Sequence, residues 1–206
     1  RPAAGTKAPT TTTPETTAPS EVKVETTTTA DGKVVSTLAV SVQTSGSTAT
    51  ATVTAETVAA LATQAADSDV VLLNVEASSS ATETVVDLPA AALAELASST
   101  GAALTVSSPV ASITISNADL AKIAAGATNV QISAKATGDT IAVTVSVDGK
   151  AVTDIPGGLV VAVPAKDGAA AYQVAEDGTE TAVEDAVVAD GTMTLTLYSS
   201  ATIRIG

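Results

Sequence analysis

Cysteine and histidine are absent from the 206 residues, and so are phenylalanine and tryptophan. Without cysteine there is no disulfide, no thiolate nucleophile and no Cys-containing zinc motif, so oxidation state does not enter the fold. Without histidine, Ser/His/Asp triads, Cys/His dyads and ordinary zinc hydrolase sites are excluded. Basic residues are scarce too: nine Lys and Arg stand against 22 Asp and Glu, a formal net charge of −13. Such a chain repels phosphate backbones, and no nucleic-acid partner is expected. Apolar runs such as VVLL (70–73) and LVVAV (159–163) fall far short of the roughly 18 to 20 residues that span a bilayer, so no membrane insertion is expected. G-x-S-x-G, P-loop and G-x-G-x-x-G motifs are missing as well.

What remains is aliphatic. Hydrophobic residues make up 45% of the chain, nearly all Ala, Val, Leu and Ile, with Tyr172 and Tyr198 as the only aromatics. Each buried Val or Leu contributes roughly 1.5 to 3 kcal/mol, so a core without large rings needs many such side chains spread over broad surfaces. Stacked sheets supply them. The length suits one large domain or two small ones.

Three regions differ in composition. Residues 1–20 hold Pro2, Pro9, Pro14 and Pro19 among Thr and Ala, which reads as an extended Thr/Pro-rich linker of the kind that carries O-linked sugars. No N-x-S/T sequon occurs, and the opening Arg1-Pro2 reads as the start of a mature or trimmed fragment. Residues 21–138 read as an α+β domain. Its first part, to residue 53, alternates apolar and polar side chains around Asp31-Gly32 and Ser45-Gly46 and predicts a meander of three antiparallel strands, with Leu38, Val40 and Val42 on one face. Its second part repeats a strand, a short Ala-rich helix and a strand, at 52–75, 85–108 and 113–134. Thr54 and Asn117 are the expected N-caps, Pro89 suits a first helical turn, and Gly101 and Gly126 suit the C-terminal stops. The pairs Val58 and Leu61, Leu93 and Leu96, and Leu120 and Ile123 should face the sheet. Residues 139–206 alternate strictly between Asp-Gly turns (148–149, 177–178, 190–191) and read as an antiparallel β module or a continuation of the same sandwich. The expected fold is therefore α+β and β-rich: antiparallel, sandwich-like sheets capped by two or three short helices behind an extended tether.

Few side chains offer chemistry. Glu176 with Asp177, or Glu180 with Glu184 and Asp185, are the acid pairs a glycosidase would need, but sugar subsites favour aromatic platforms and solvated hairpin charges explain these acids more simply. Asp67 and Asp69, with Ser68 between them, are weak metal candidates: their hard oxygens suit Ca²⁺, without the Gly and distal Glu of a known calcium loop. Lys135 and Lys150 lie in or beside strands, with Asn74, Asn117 and Asn129 as conceivable isopeptide acceptors. No catalytic residue and no cofactor is expected, and the chain is not read as an enzyme.

The stretch DIPGGLVVAVPA (154–165), followed by YQVAEDGTETAV (172–183), VVADGTMTLTL (187–197) and SSATIRI (199–205), resembles modules found just upstream of S-layer homology repeats in surface proteins of Gram-positive anaerobic bacteria. Residues 85–124 and the stretch ETTTTADGK (25–33) are similar to the same family. The sequence departs from it where Tyr198-Ser199-Ser200 replaces aromatic and His residues of the closing strand, and it contains neither an S-layer homology repeat nor an LPxTG signal. The resemblance implies a non-catalytic spacer of a secreted or cell-surface protein, with cell-wall or surface-protein neighbours as partners. An adhesin that binds another protein is the alternative. A further one is a filament subunit that self-associates by adding VKVETTTT (22–29) to a neighbour's sheet edge.

Overall fold

Strict period-two alternation leaves each strand one apolar face, and two such faces must cover each other. The computed structural model describes residues 22–206, so the expected 1–20 tether lies outside the described residues. Along the chain come β1 (Val24–Thr28), β2 (Val34–Val40), β3 (Gln43–Ser45), β4 (Thr48–Thr52), α1 (Ala55–Gln64), β5 (Val70–Val75), β6 (Glu83–Pro89), α2 (Ala90–Thr100), β7 (Ala103–Ser107), β8 (Ser112–Ile115), α3 (Asn117–Ala124) and β9 (Asn129–Thr137). There follow β10 (Thr140–Val147), β11 (Lys150–Ala151), β12 (Leu159–Pro164), β13 (Ala171–Val174), β14 (Glu180–Ala182), β15 (Val187–Ala189), β16 (Thr192–Leu197) and β17 (Ala201–Ile205). The fold is α+β and β-rich, as expected.

Sheet A has the order β1-β2-β5-β7-β8-β12-β16-β15, and sheet B the order β14-β13-β17-β10-β9-β6-β4-β3, with β11 beside β10. Pairing is antiparallel except for β2 with β5, β5 with β7 and β4 with β6, which are parallel. Both sheets are therefore mixed. No parallel pair is consecutive in the chain: the connection between its two strands passes each time through a strand of the other sheet and a helix.

Those helices do more than lie on one sheet. Each crosses between the two: α1 leads from β4 to β5, α2 from β6 to β7 and α3 from β8 to β9. They pack side by side in the order α1, α2, α3, and Val58, Leu61, Leu93, Leu96, Leu120 and Ile123 are all buried. The core is one aliphatic cluster that takes in both sheets and all three helices, from Leu38 to Ile203. Strands after residue 139 extend both sheets: β10 pairs with β9, and β12 pairs with β8.

The expected three-strand meander is corrected. β1 and β2 form a hairpin in sheet A, β3 and β4 form one in sheet B, and the chain changes sheets at Ser41-Val42. The reason is volume. In the observed register Leu38 and Val40 stand beside Leu73 and Val75 of β5, whereas β4 offers only Ala49 and Ala51 to the interior. Val42 falls outside β2 and is half-buried.

Two capping expectations also change. Thr54 caps α1 as read, its hydroxyl accepting from the Thr57 amide. At α3 the cap is Ser116, whose Oγ accepts from the Asp119 amide, while Asn117 is the first helical residue. The Asn117 side-chain amide instead donates to the carbonyls of Ala97 (2.8 Å) and Ala102 (3.1 Å), tying α3 to the end of α2. Pro89 stands at the N-cap of α2, before the first turn, and closes β6.

Candidate functional site

The loop between α1 and β5 contains the two acids expected as weak metal ligands. Asp69 is turned toward sheet A: its Oδ2 accepts from the Val34 amide at 2.8 Å, its own amide donates to the Val34 carbonyl, and its carbonyl accepts from Ala103. It thus extends the β2-β5-β7 ladder beyond its regular end. Ser68 is buried beneath, its hydroxyl 2.6 Å from that of Ser36. Asp67 is exposed. Among the described residues, no three or more Asp, Glu, His or Cys side chains stand together in a way that would hold a metal ion.

The acidic hairpin of β13 and β14 is organised by a residue that sequence reasoning did not single out. Register sets Tyr172 of β13 opposite both Arg204 of β17 and Ala182 of β14. Glu180 accepts two bonds from Arg204, from Nε at 2.6 Å and from Nη2 at 2.8 Å, and the guanidinium lies over the Tyr172 ring at 4.7 Å. Paired donors and a π face suit a planar cation. The available signal was compositional: Arg204 is one of only two arginines, the other being Arg1. Asp177 accepts from the Thr179 amide within the turn, while Glu184 and Asp185 lie exposed in the next connection.

The Arg204 hydrogen bonds hold the Glu180 carboxyl below its ordinary range, and the Thr179 amide does the same for Asp177. A carboxylate whose folded pKa is depressed adds stability above its unfolded pKa, near 4.3 for Glu, and loses it as pH falls through the folded value. Arg204→Gln should therefore lower stability above about pH 5, with the difference from the parent closing as pH drops through the Glu180 titration. Thermal melts across that range check it. A gap that is constant down to the acid limit would show that the pair contributes no pH dependence.

Lys135, the better placed of the isopeptide lysines, lies on the outer surface of sheet B with Nζ 3.7 Å from Glu83. Asn117 is engaged at α2, and Asn129 donates to Asp87 at 3.5 Å.

The Pro-Gly-Gly loop, part of the family-like stretch, has a steric reason for both glycines. Ser116 donates to the Asp119 carboxylate at 2.9 Å, and Asp119 is only 3% exposed. A methyl group at Gly157 would strike that carboxylate and the Ser116 hydroxyl. Gly158 has φ +78 and lies under Thr196 and the Tyr198 ring. The motif joins the start of α3 to the end of β16.

Two open grooves mark the described surface. One, about 710 Å³, lies at strand ends away from the helices, between Val110, Ile141, Pro164, Ala169 and Ile205. The other, about 670 Å³, runs beside the edge of sheet A past Val22, Val40, Val53 and Glu76. Comparison with known protein families, with curated proteins and with solved structures returned no match.

Proposed function

We propose that this chain is a non-catalytic structural module of a secreted or cell-surface bacterial protein, acting as a spacer that presents or tethers other domains at the cell wall. The observation that supports it most is where the ionisable side chains are spent. Asp69 holds the Val34 amide, Asp148 holds the amides of Thr128 and Asn129, Asp119 is bonded to Ser116, and Glu180 and Glu83 pair with Arg204 and Lys135. Acids used in this way fasten turns and strand ends to one another. Beneath them, one aliphatic core ties residues 38–203 into a unit suited to holding its neighbours apart.

The adhesin reading predicts saturable binding to another protein. Purified chain is tested against a panel of matrix proteins and glycans, alongside surface labelling of intact producing cells. Surface labelling with a null panel is the expected result. Saturable binding to one member would favour the adhesin, and a chain found only inside the cell would overturn both readings.

A further inference from the structure

The two outer faces of the molecule differ in kind. That of sheet B carries Glu83, Asp87, Lys135, Glu180 and Arg204. On sheet A, one row across six strands consists of Thr37, Leu72, Thr105, Thr114, Val160 and Thr196. The adjacent row, from Ala39 on β2 to Val187 on β15, contains only Ala, Asn, Ser, Thr and Val. From β2 to β15 no outward-facing strand residue of sheet A is charged, in a chain of net charge −13. The same face holds all three exposed large hydrophobic side chains of the described residues: Val160 (41% exposed), Val187 (63%) and Tyr198 (62%). Tyr198 directly follows β16 and lies over Gly158 beside Thr196.

We propose that two copies of this chain associate face to face through the outer surface of sheet A. Apart from Glu25, which stands beside Thr37 at the β1 edge, the face offers a charged partner nothing to pair with, whereas a second copy approaching the outer face of sheet B meets carboxylates. An uncharged face can meet its own copy about a two-fold axis without repulsion. Six strands spaced about 4.8 Å apart, each presenting about 18 Å of length, cover roughly 500 Å². The pair then buries roughly 1,000 Å² in total, at the lower bound for a specific interface. Small side chains let the two sheets approach to about 10 Å, the ordinary sheet-stacking distance. This contact uses a sheet face and is separate from edge addition by residues 22–29.

Sedimentation equilibrium of the 206-residue chain, over a range of concentrations at low and high salt, tests it. A reversible dimer is expected, tighter at high salt because screening weakens repulsion between the acidic bodies. Val160→Lys and Thr114→Lys should each weaken it at least tenfold. Each also lowers the net negative charge, which would favour association if only long-range repulsion mattered. Thr144→Lys, on the outer face of sheet B, should leave the dimer intact, and circular dichroism establishes that all three variants fold. A monomer at every concentration and salt overturns the proposal. So does a dimer that survives both sheet A substitutions, and its loss on removing residues 1–30 would then assign self-association to the strand edge.

Discussion

Leu159→Ala should destabilise the whole described body, by about 3 to 4 kcal/mol, and should do so in a single unfolding transition. Leu159 is fully buried, flanked in register by Ile115 of β8 and Leu197 of β16. Its removal leaves a void lined by branched aliphatic side chains. The core has no Phe or Trp, so no flexible ring is available to swing into the gap, and the cavity cost is expected in full. The prediction about cooperativity follows from topology. Leu159 belongs to the region after residue 139, yet its strand is hydrogen-bonded to β8 from the region before it.

Urea melts followed by two probes make this measurable. Tyrosine fluorescence reports Tyr172 and Tyr198, whereas the helical part of the circular dichroism comes from residues 55–124. Coincident curves shifted together by Leu159→Ala support one cooperative unit. A shift in the tyrosine signal alone would mean that residues 139–206 unfold separately.

Gly158→Ala is expected to cost about 2 to 4 kcal/mol, combining the left-handed backbone penalty with overpacking in a filled space. At φ +78 an alanine is strained, and its methyl would meet Thr196 and the Tyr198 ring. For a chain of this size the loss corresponds to a fall in Tm of roughly 5 to 15 °C. Gly149→Ala is the control, since that residue has φ +81 but nothing within 4 Å of the added carbon. Its cost should be the backbone part alone, about 1 to 2 kcal/mol. Equal melting temperatures for the two variants would refute the packing account of the Pro-Gly-Gly loop.

Local grammar made much of this fold readable. Asp148 and Asp190 take φ of 48 and 51, each followed by a positive-φ glycine, so these two Asp-Gly pairs mark two-residue hairpins, whereas Asp31-Gly32 and Asp177-Gly178 lie in longer turns. The helices were legible because Thr54 offers a cap and because Val58 and Leu61, like their counterparts, fall on one stripe. What periodicity does not encode is which sheet a strand joins. The spacing of Leu38 and Val40 says that they face inward, and it reads the same whether the neighbour is β4 or β5. Only the fit of side-chain volumes across the ladder decides, and that depends on residues more than thirty positions away. The Asn117 reading failed for a similar reason: two good capping residues are adjacent, and the choice of Ser116 depends on carbonyls of α2 and of Ala102, just before β7, that Asn117 can reach. The Glu180-Arg204-Tyr172 group was hidden because Arg204 reaches the β13-β14 hairpin from a strand 24 positions beyond Glu180. The acids read as solvated hairpin charges were correctly seen as exposed, while their role in fastening turns appeared only with the pairing.

The place of β17 sets an order of events during synthesis. It lies inside sheet B, hydrogen-bonded on one side to β10 and on the other to β13. Until Ala201–Ile205 has left the ribosome, the β13-β14 hairpin has no strand linking it to the rest of sheet B, and the growing chain stays open along that seam. Closure depends on contacts between segments far apart in the chain, so this seam should be the last part of sheet B to form and should form slowly.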